Sequence, residues 1–126
     1  MEEPNGPLVL VVDDDSRSRE LLRIVLRHAG YRVITAADAQ AAVALLQAER
    51  PAAVFADLLM PGMTGLDFCR WTRSRAEYAG MRFILLTGMD AEDTRADARE
   101  ADADALITKP FERVELLKTL RELLAG

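Results

Sequence analysis

Five short apolar runs punctuate the chain: Leu8 to Val12, Tyr31 to Ile34, Ala52 to Ala56, Phe83 to Leu86 and Ala105 to Ile107. Most are continuously apolar rather than alternating. Strands covered on both faces read this way, so the pattern predicts a mainly parallel sheet between helix layers. Helical stretches fill the gaps. Ser16 to Ala29 carries Leu22, Val25, Leu26 and Ala29 on one stripe, and Gly30 stands where a left-handed C-terminal cap belongs. Asp38 caps a helix through Glu49 that Pro51 stops. Thr64, with Asp67 three residues later, resembles a capping box for a helix reaching about Ala76. Asp90 opens another that ends near Ala101, and Glu112 to Leu124 places Val114, Leu117, Leu120 and Leu124 at helical spacing. Strand and helix alternate five times, (βα)5. With right-handed crossovers the economical architecture is α/β, a doubly wound five-stranded parallel sheet.

Composition narrows the function more than the fold. A chain of 126 residues, half of them hydrophobic, fits one domain with one ordinary core. Sixteen basic against twenty-one acidic side chains leave a net charge of -5, which argues against direct nucleic-acid binding. A lone cysteine, Cys69, excludes an internal disulfide framework and a Cys-rich zinc site. The tail Met1 to Pro7 is polar and acidic, unlike a signal peptide, and no apolar run is long enough to span a bilayer. A soluble, cytoplasmic protein without membrane contact is the expectation.

Ligands in open α/β sheets bind beyond the carboxyl ends of the strands. Asp13, Asp14 and Asp15 follow the first run, Asp57 the third and Thr87 the fourth, while Thr108 and Lys109 follow the fifth. In a flavodoxin-like strand order, 2-1-3-4-5, the first and third strands are neighbours, so their carboxylates crowd into one crevice. Close like charges repel unless a cation sits among them. Mg2+ suits oxygen ligands of this kind, Lys109 supplies a fixed charge for an anionic oxygen, and Thr87 a small donor. Carboxylate nucleophile, metal, lysine and hydroxyl together describe phosphoryl transfer to aspartate.

The segments Leu8-Val-Leu-Val-Val-Asp-Asp-Asp15, Asp57-Leu-Leu-Met-Pro-Gly-Met-Thr-Gly65, Leu86-Thr-Gly88 and Thr108-Lys-Pro-Phe111, in this order and spacing, resemble the receiver domain of two-component response regulators, chemotaxis regulators among them. The likeness extends from about Leu8 to Leu124, giving an N-terminal tail over 1–7 and a receiver domain over 8–126. It implies that Asp57 is the phosphoacceptor. Asp14 would hold Mg2+ directly, Asp13 through water, and the backbone carbonyl of Leu59 would add a third protein ligand beside Asp57. Lys109 would contact the phosphoryl oxygens and Thr87 would move toward them. The Lys109–Pro110 peptide would be cis, which proline makes accessible.

The partners so implied are a sensor histidine kinase or histidine phosphotransfer protein as donor, and a downstream target or fused output domain. That target would be met by the surface of the fourth helix, fifth strand and fifth helix. The resemblance leaves open a homodimer formed on phosphorylation. The domain would accept and lose its own phosphoryl group rather than turn over a separate substrate, so it would not be an enzyme in the usual sense. The sequence departs from the family pattern at Leu106, where Tyr or Phe is usual, at Gly88, often Ala, and at Asp102, commonly Gly. Leu59 and Met89 flank the acceptor and the threonine with apolar side chains suited to shielding an acyl phosphate from water.

Three other functions compete with this one. A dehalogenase-type phosphatase would need a second aspartate where Leu59 stands, and a flavodoxin would need a Ser/Thr/Gly-rich loop where Asp13 to Ser16 stand. A receiver-like scaffold that works without phosphorylation is the alternative, kept alive by Leu106. Bland roles suit the rest. Asp15 reads as a cap or a solvated residue, and Pro61 with Gly62 as turn formers. Gly65 reads as a backbone requirement, His28 as a dipole partner at a helix end, and Cys69 as core. Phe68 and Trp71 read as packing or partner surface, and Arg70, Arg73 and Arg75 as a solvated helix end.

Overall fold

The computed structural model describes residues 4–88 and 92–126. Five parallel strands, β1 (Leu8–Val12), β2 (Arg32–Ala36), β3 (Ala53–Asp57), β4 (Arg82–Thr87) and β5 (Ala105–Thr108), form one sheet in the order β2-β1-β3-β4-β5. The five helices are α1 (Ser16–His28), α2 (Ala39–Glu49), α3 (Gly65–Arg73), α4 (Glu92–Glu100) and α5 (Arg113–Ala125). One apolar cluster joins the sheet to Ala42, Leu46, Phe68, Cys69 and Ala98, so α2, α3 and α4 cover one face. The other joins it to Leu22, Leu26, Leu116 and Leu120, so α1 and α5 cover the opposite face. Every residue of β1 is buried, which explains its unbroken apolar run. Among the described residues, no helix is long and apolar enough to cross a membrane.

Local chemistry sets most boundaries. Asp15 caps α1 by accepting from the Arg17 amide at 3.0 Å, and Asp38 caps α2 from Ala41 at 2.8 Å. Thr64 caps α3 from the Asp67 amide at 3.1 Å. After α1, Gly30 takes a φ of +99° while its amide bonds to Arg27 and that of Tyr31 to Leu26, a left-handed close of the helix.

That close also corrects one expectation. The Tyr31 amide belongs to the helix end, so β2 begins at Arg32 and runs on through Thr35 and Ala36. The third helix stops at Arg73, short of Ala76, and a 3-10 turn follows over Ala76–Tyr78. Thr72 and Ser74 hydroxyls bond the carbonyls of Cys69 and Trp71, at 2.8 and 2.6 Å, and so compete with the continuing helix. On α5 the inward stripe is rotated: Leu116 and Leu120 are buried, whereas Val114, in the first turn, is 70% exposed. Ala29, expected on the buried stripe of α1, is exposed. Asp90 and Met89 lie outside the described residues.

Candidate functional site

Four of the five strands deliver their polar residues to one rim. The pairing of β1 with both β2 and β3 brings Val12 beside Ala36 and Ala56, and the carboxylates follow immediately after. Asp13 continues the ladder, its amide bonding to the Ala36 carbonyl at 3.1 Å. Asp57 closes β3 opposite Leu86, one residue before Thr87. Beyond β5 the Lys109 amide bonds to the Thr87 carbonyl at 2.6 Å, which aims the lysine back across the rim. The Lys109–Pro110 peptide is cis.

Carboxylate oxygens of Asp13, Asp14 and Asp57 lie within 4.8 Å of one another. Asp13 is fully buried, Asp57 is partly buried and Asp14 is exposed. Lys109 bridges two of them, its Nζ standing 2.8 Å from Asp13 Oδ2 and 3.4 Å from Asp57 Oδ2. The other Asp13 oxygen accepts from the Asp15 amide at 2.9 Å, so both of its carboxylate oxygens are engaged. Thr87 is buried at the end of β4, and Thr108 is half-buried beside it at the end of β5.

The electrostatics follow from this crowding. Burial pushes the Asp57 carboxyl above the ordinary carboxylate range. Lys109 and the Leu59 amide pull it down, the Asp13 charge adds to the rise, and the net direction is upward. For Lys109, burial pulls downward, but the hydrogen bonds and charges of Asp13 and Asp57 outweigh it and raise the ammonium pKa. A carboxyl held above its usual range next to a fixed cation is a crevice prepared for additional positive charge. The donor set of three carboxylates is all oxygen and so fits a small hard cation.

The β3–α3 loop is held tightly beside Asp57. Leu58 donates to the Leu86 carbonyl at 2.7 Å and accepts from the Gly65 amide at 2.9 Å. A side chain on Gly65 would overlap the Asp57 carbonyl oxygen, so only glycine lets α3 begin this close. Leu59 is 67% exposed at the mouth.

Arg19 escaped the sequence reading. Its Nη1 donates to the Asp13 carbonyl at 2.7 Å, bracing the loop that carries the acidic pair. A signal was present: an arginine in the first turns of a helix opposes the dipole and implies a local anionic or carbonyl partner.

The arginine group also differs from expectation. Arg70 and Arg75 are exposed, Arg75 lying over the Trp71 ring at 4.5 Å, but the Arg73 side chain is only 13% exposed. It donates to the carbonyls of Met81 at 2.7 Å and Asp102 at 2.9 Å and pairs with Asp104 at 2.8 Å. Phe68 is core, stacked on Trp71 and edge-on to Phe83. Asp102 takes the left-handed conformation, φ +64°. Cys69 is buried, and that burial raises its thiol pKa to about 11.

The response regulator receiver domain profile matches residues 9–121. The response regulator MprA of Mycolicibacterium vanbaalenii is 40% identical over 116 residues, 92% of this chain and 49% of that protein. The chain thus spans about half the length of the curated relatives it matches. Chemotaxis protein CheY4 of Vibrio cholerae superposes with a TM-score of 0.89 at 33% identity, covering 94% of this chain and 99% of that one. The receiver domain of a Pseudomonas aeruginosa sensor histidine kinase, solved with a magnesium ion in its active-site cleft, gives 0.88 at 27%, covering 97% and 100%. A profile spanning nearly every element, together with an acidic crevice at the rim where that family carries its own, makes this chain a member of the response regulator receiver domain family.

Proposed function

We propose that Asp57 accepts a phosphoryl group from a phosphohistidine on a partner kinase or phosphotransfer protein. The observation that carries this is the convergence of three carboxylates within 4.8 Å around a lysine that reaches both Asp13 and Asp57. Asp57 Oδ attacks phosphorus in line, the phosphorus–nitrogen bond to the histidine breaks, and the imidazole leaves with its electron pair and takes up a proton. Lys109 faces the charge on the transferring oxygens, and the Thr87 hydroxyl donates to the product. Asp14, Asp57 and the Leu59 carbonyl would hold Mg2+, with Asp13 reaching it through water; when bound, the ion supplies charge neutralisation for the transfer.

The acyl phosphate adds a dianion at the rim, and Thr87 and Lys109 gain a new partner. The α4–β5–α5 surface then shifts between two populations, and that surface meets the target or output domain. Leu106, partly buried against the core, takes the place of the usual aromatic in that coupling. The protein acts in the cytoplasm as a signalling switch.

The test is uptake from acetyl phosphate or a cognate kinase with and without Mg2+, read by intact mass. Wild type gains one phosphoryl group only with the metal, and Asp57→Asn gains none. Uptake by Asp57→Asn at the wild-type rate, or no response of wild type to phosphodonors or to beryllofluoride, overturns the proposal. The latter result would favour a scaffold that operates without phosphorylation.

A further inference from the structure

The two ends of α4 are held very differently. Along its length only Ala98 is buried; Glu92, Asp93, Arg95, Ala96 and Asp97 are exposed. The C-terminal end is fastened several times over. Ala101 is buried, and its carbonyl accepts from Cys69 Sγ at 3.3 Å. The chain turns through Asp102 in the left-handed conformation, with the Asp102 amide on Arg99 and the Ala103 amide on Ala98, both at 3.0 Å.

Arg73 of α3 then binds the turn from outside. Its Nε donates to the Asp102 carbonyl and its Nη2 pairs with Asp104 Oδ2. The same carboxylate oxygen accepts from the Phe83 amide at 2.8 Å, and the Asp104 amide bonds to the Phe83 carbonyl at 2.8 Å. One mostly buried guanidinium therefore ties the end of α3, the start of β4, the exit from α4 and the start of β5 into one knot. A planar fork with five donors suits such a junction, and lysine would not reproduce it.

The knot lies at the opposite end of the sheet from Asp57. Burial and charge-assisted hydrogen bonds resist displacement there, while little buried apolar surface holds the first two turns of α4. We infer that residues 101–104 form a fixed pivot, held by Arg73 and Asp104. When the phosphoacceptor site changes state, α4 lifts its N-terminal turns about this point instead of sliding as a unit, and β5 keeps its register. The motion rests on the phosphoacceptor reading above; the clamp itself does not.

Hydrogen exchange on the whole chain, read by mass spectrometry with and without Mg2+ plus beryllofluoride, tests both. In wild type the additive changes exchange across residues 92–97 and leaves 98–104 unchanged. Without additive, Arg73→Met speeds exchange at 101–104 by about ten- to a hundredfold, the loss of charge-assisted bonds, while β1 and β3 stay protected. Asp104→Asn, which keeps an acceptor for the Phe83 amide, gives a smaller rise at the same amides and serves if Arg73→Met fails to fold. Wild-type protection at 101–104 in the folded variants overturns the clamp. An additive effect as large at 98–104 as at 92–97 overturns the pivot. No additive response anywhere in wild type sinks the phosphoacceptor reading and the motion with it, leaving the clamp to be decided by the variants alone.

Discussion

Replacing Lys109 by methionine removes the side chain that, among the described residues, bridges Asp13 and Asp57. At 2.8 Å and an effective dielectric of roughly 20, the Lys109–Asp13 attraction is about 6 kcal/mol. Desolvation of the pair cancels much of that, and a charge-assisted hydrogen bond retains about 1.5–3 kcal/mol net. Lys109 is partly solvated, which favours the lower half of the range, but the variant leaves a fully buried Asp13 with one oxygen unpartnered, which favours the upper. The expected loss is about 2 kcal/mol at pH 7 in chelator, a fall in Tm of roughly 6–10 °C for a domain of this size.

The sign agrees with the titration behaviour. Because folding raises the Lys109 pKa, its contribution is complete below the ordinary lysine range and is lost only as pH climbs through the raised value. Saturating Mg2+ replaces part of the missing positive charge, so the gap between variant and wild type narrows with the ion. Paired thermal or urea unfolding in chelator and in Mg2+ measures both effects. A variant as stable as wild type in chelator, or a deficit that Mg2+ leaves untouched, would refute the view that lysine and cation share the neutralisation of one acidic crevice.

Asp57→Asn is expected to stabilise the metal-free protein at neutral pH. The raised carboxyl pKa means that Asp57 favours folding when protonated, below the ordinary carboxylate range, and loses that contribution as pH rises through the raised value. Its advantage over wild type therefore shrinks as pH falls, which unfolding across a pH series reads directly; a gap that is constant or widens toward acid contradicts it. Gly65→Ala drives a methyl into the Asp57 carbonyl, against neighbouring atoms at 2.9 and 3.0 Å. It should cost about 2 kcal/mol in denaturant unfolding and slow phosphoryl uptake. Leu59→Asn, at the open mouth of the crevice, should shorten the life of the acyl phosphate, followed by loss of phosphoryl mass with time; equal or slower loss discards the shielding role.

The parallel sheet between two helix layers was legible because β1, β3 and β4 are buried on both faces and so read as unbroken apolar runs, whereas the strand order came from the flavodoxin-like pattern that such alternation suggests. Asp13, Asp14, Asp57, Thr87 and Lys109 were legible because each follows or ends such a run, and topology brings strand ends together. What escaped depends on contacts remote in sequence. Arg73 looks like any cation at a helix end until Asp104, far along the chain, arrives beside it. Val114 fits the helical spacing of α5, yet adjacent phases of that leucine-rich helix are nearly equivalent in sequence, and only the sheet selects Leu116. The stop of α3 at Arg73 turns on two hydroxyls folding back on carbonyls, a competition that periodicity does not register.

Asp13 has a further consequence for which ions the crevice would choose. With one oxygen on the Asp15 amide and the other on Lys109, neither oxygen is uncommitted, and an ion bound directly would have to share one that already accepts a hydrogen bond. Calcium, which gathers roughly six to eight oxygens and sheds water readily, would draw on those shared oxygens; magnesium, which keeps several waters, can be satisfied by a water standing between. Discrimination here would come from reluctance to dehydrate, with hole size secondary.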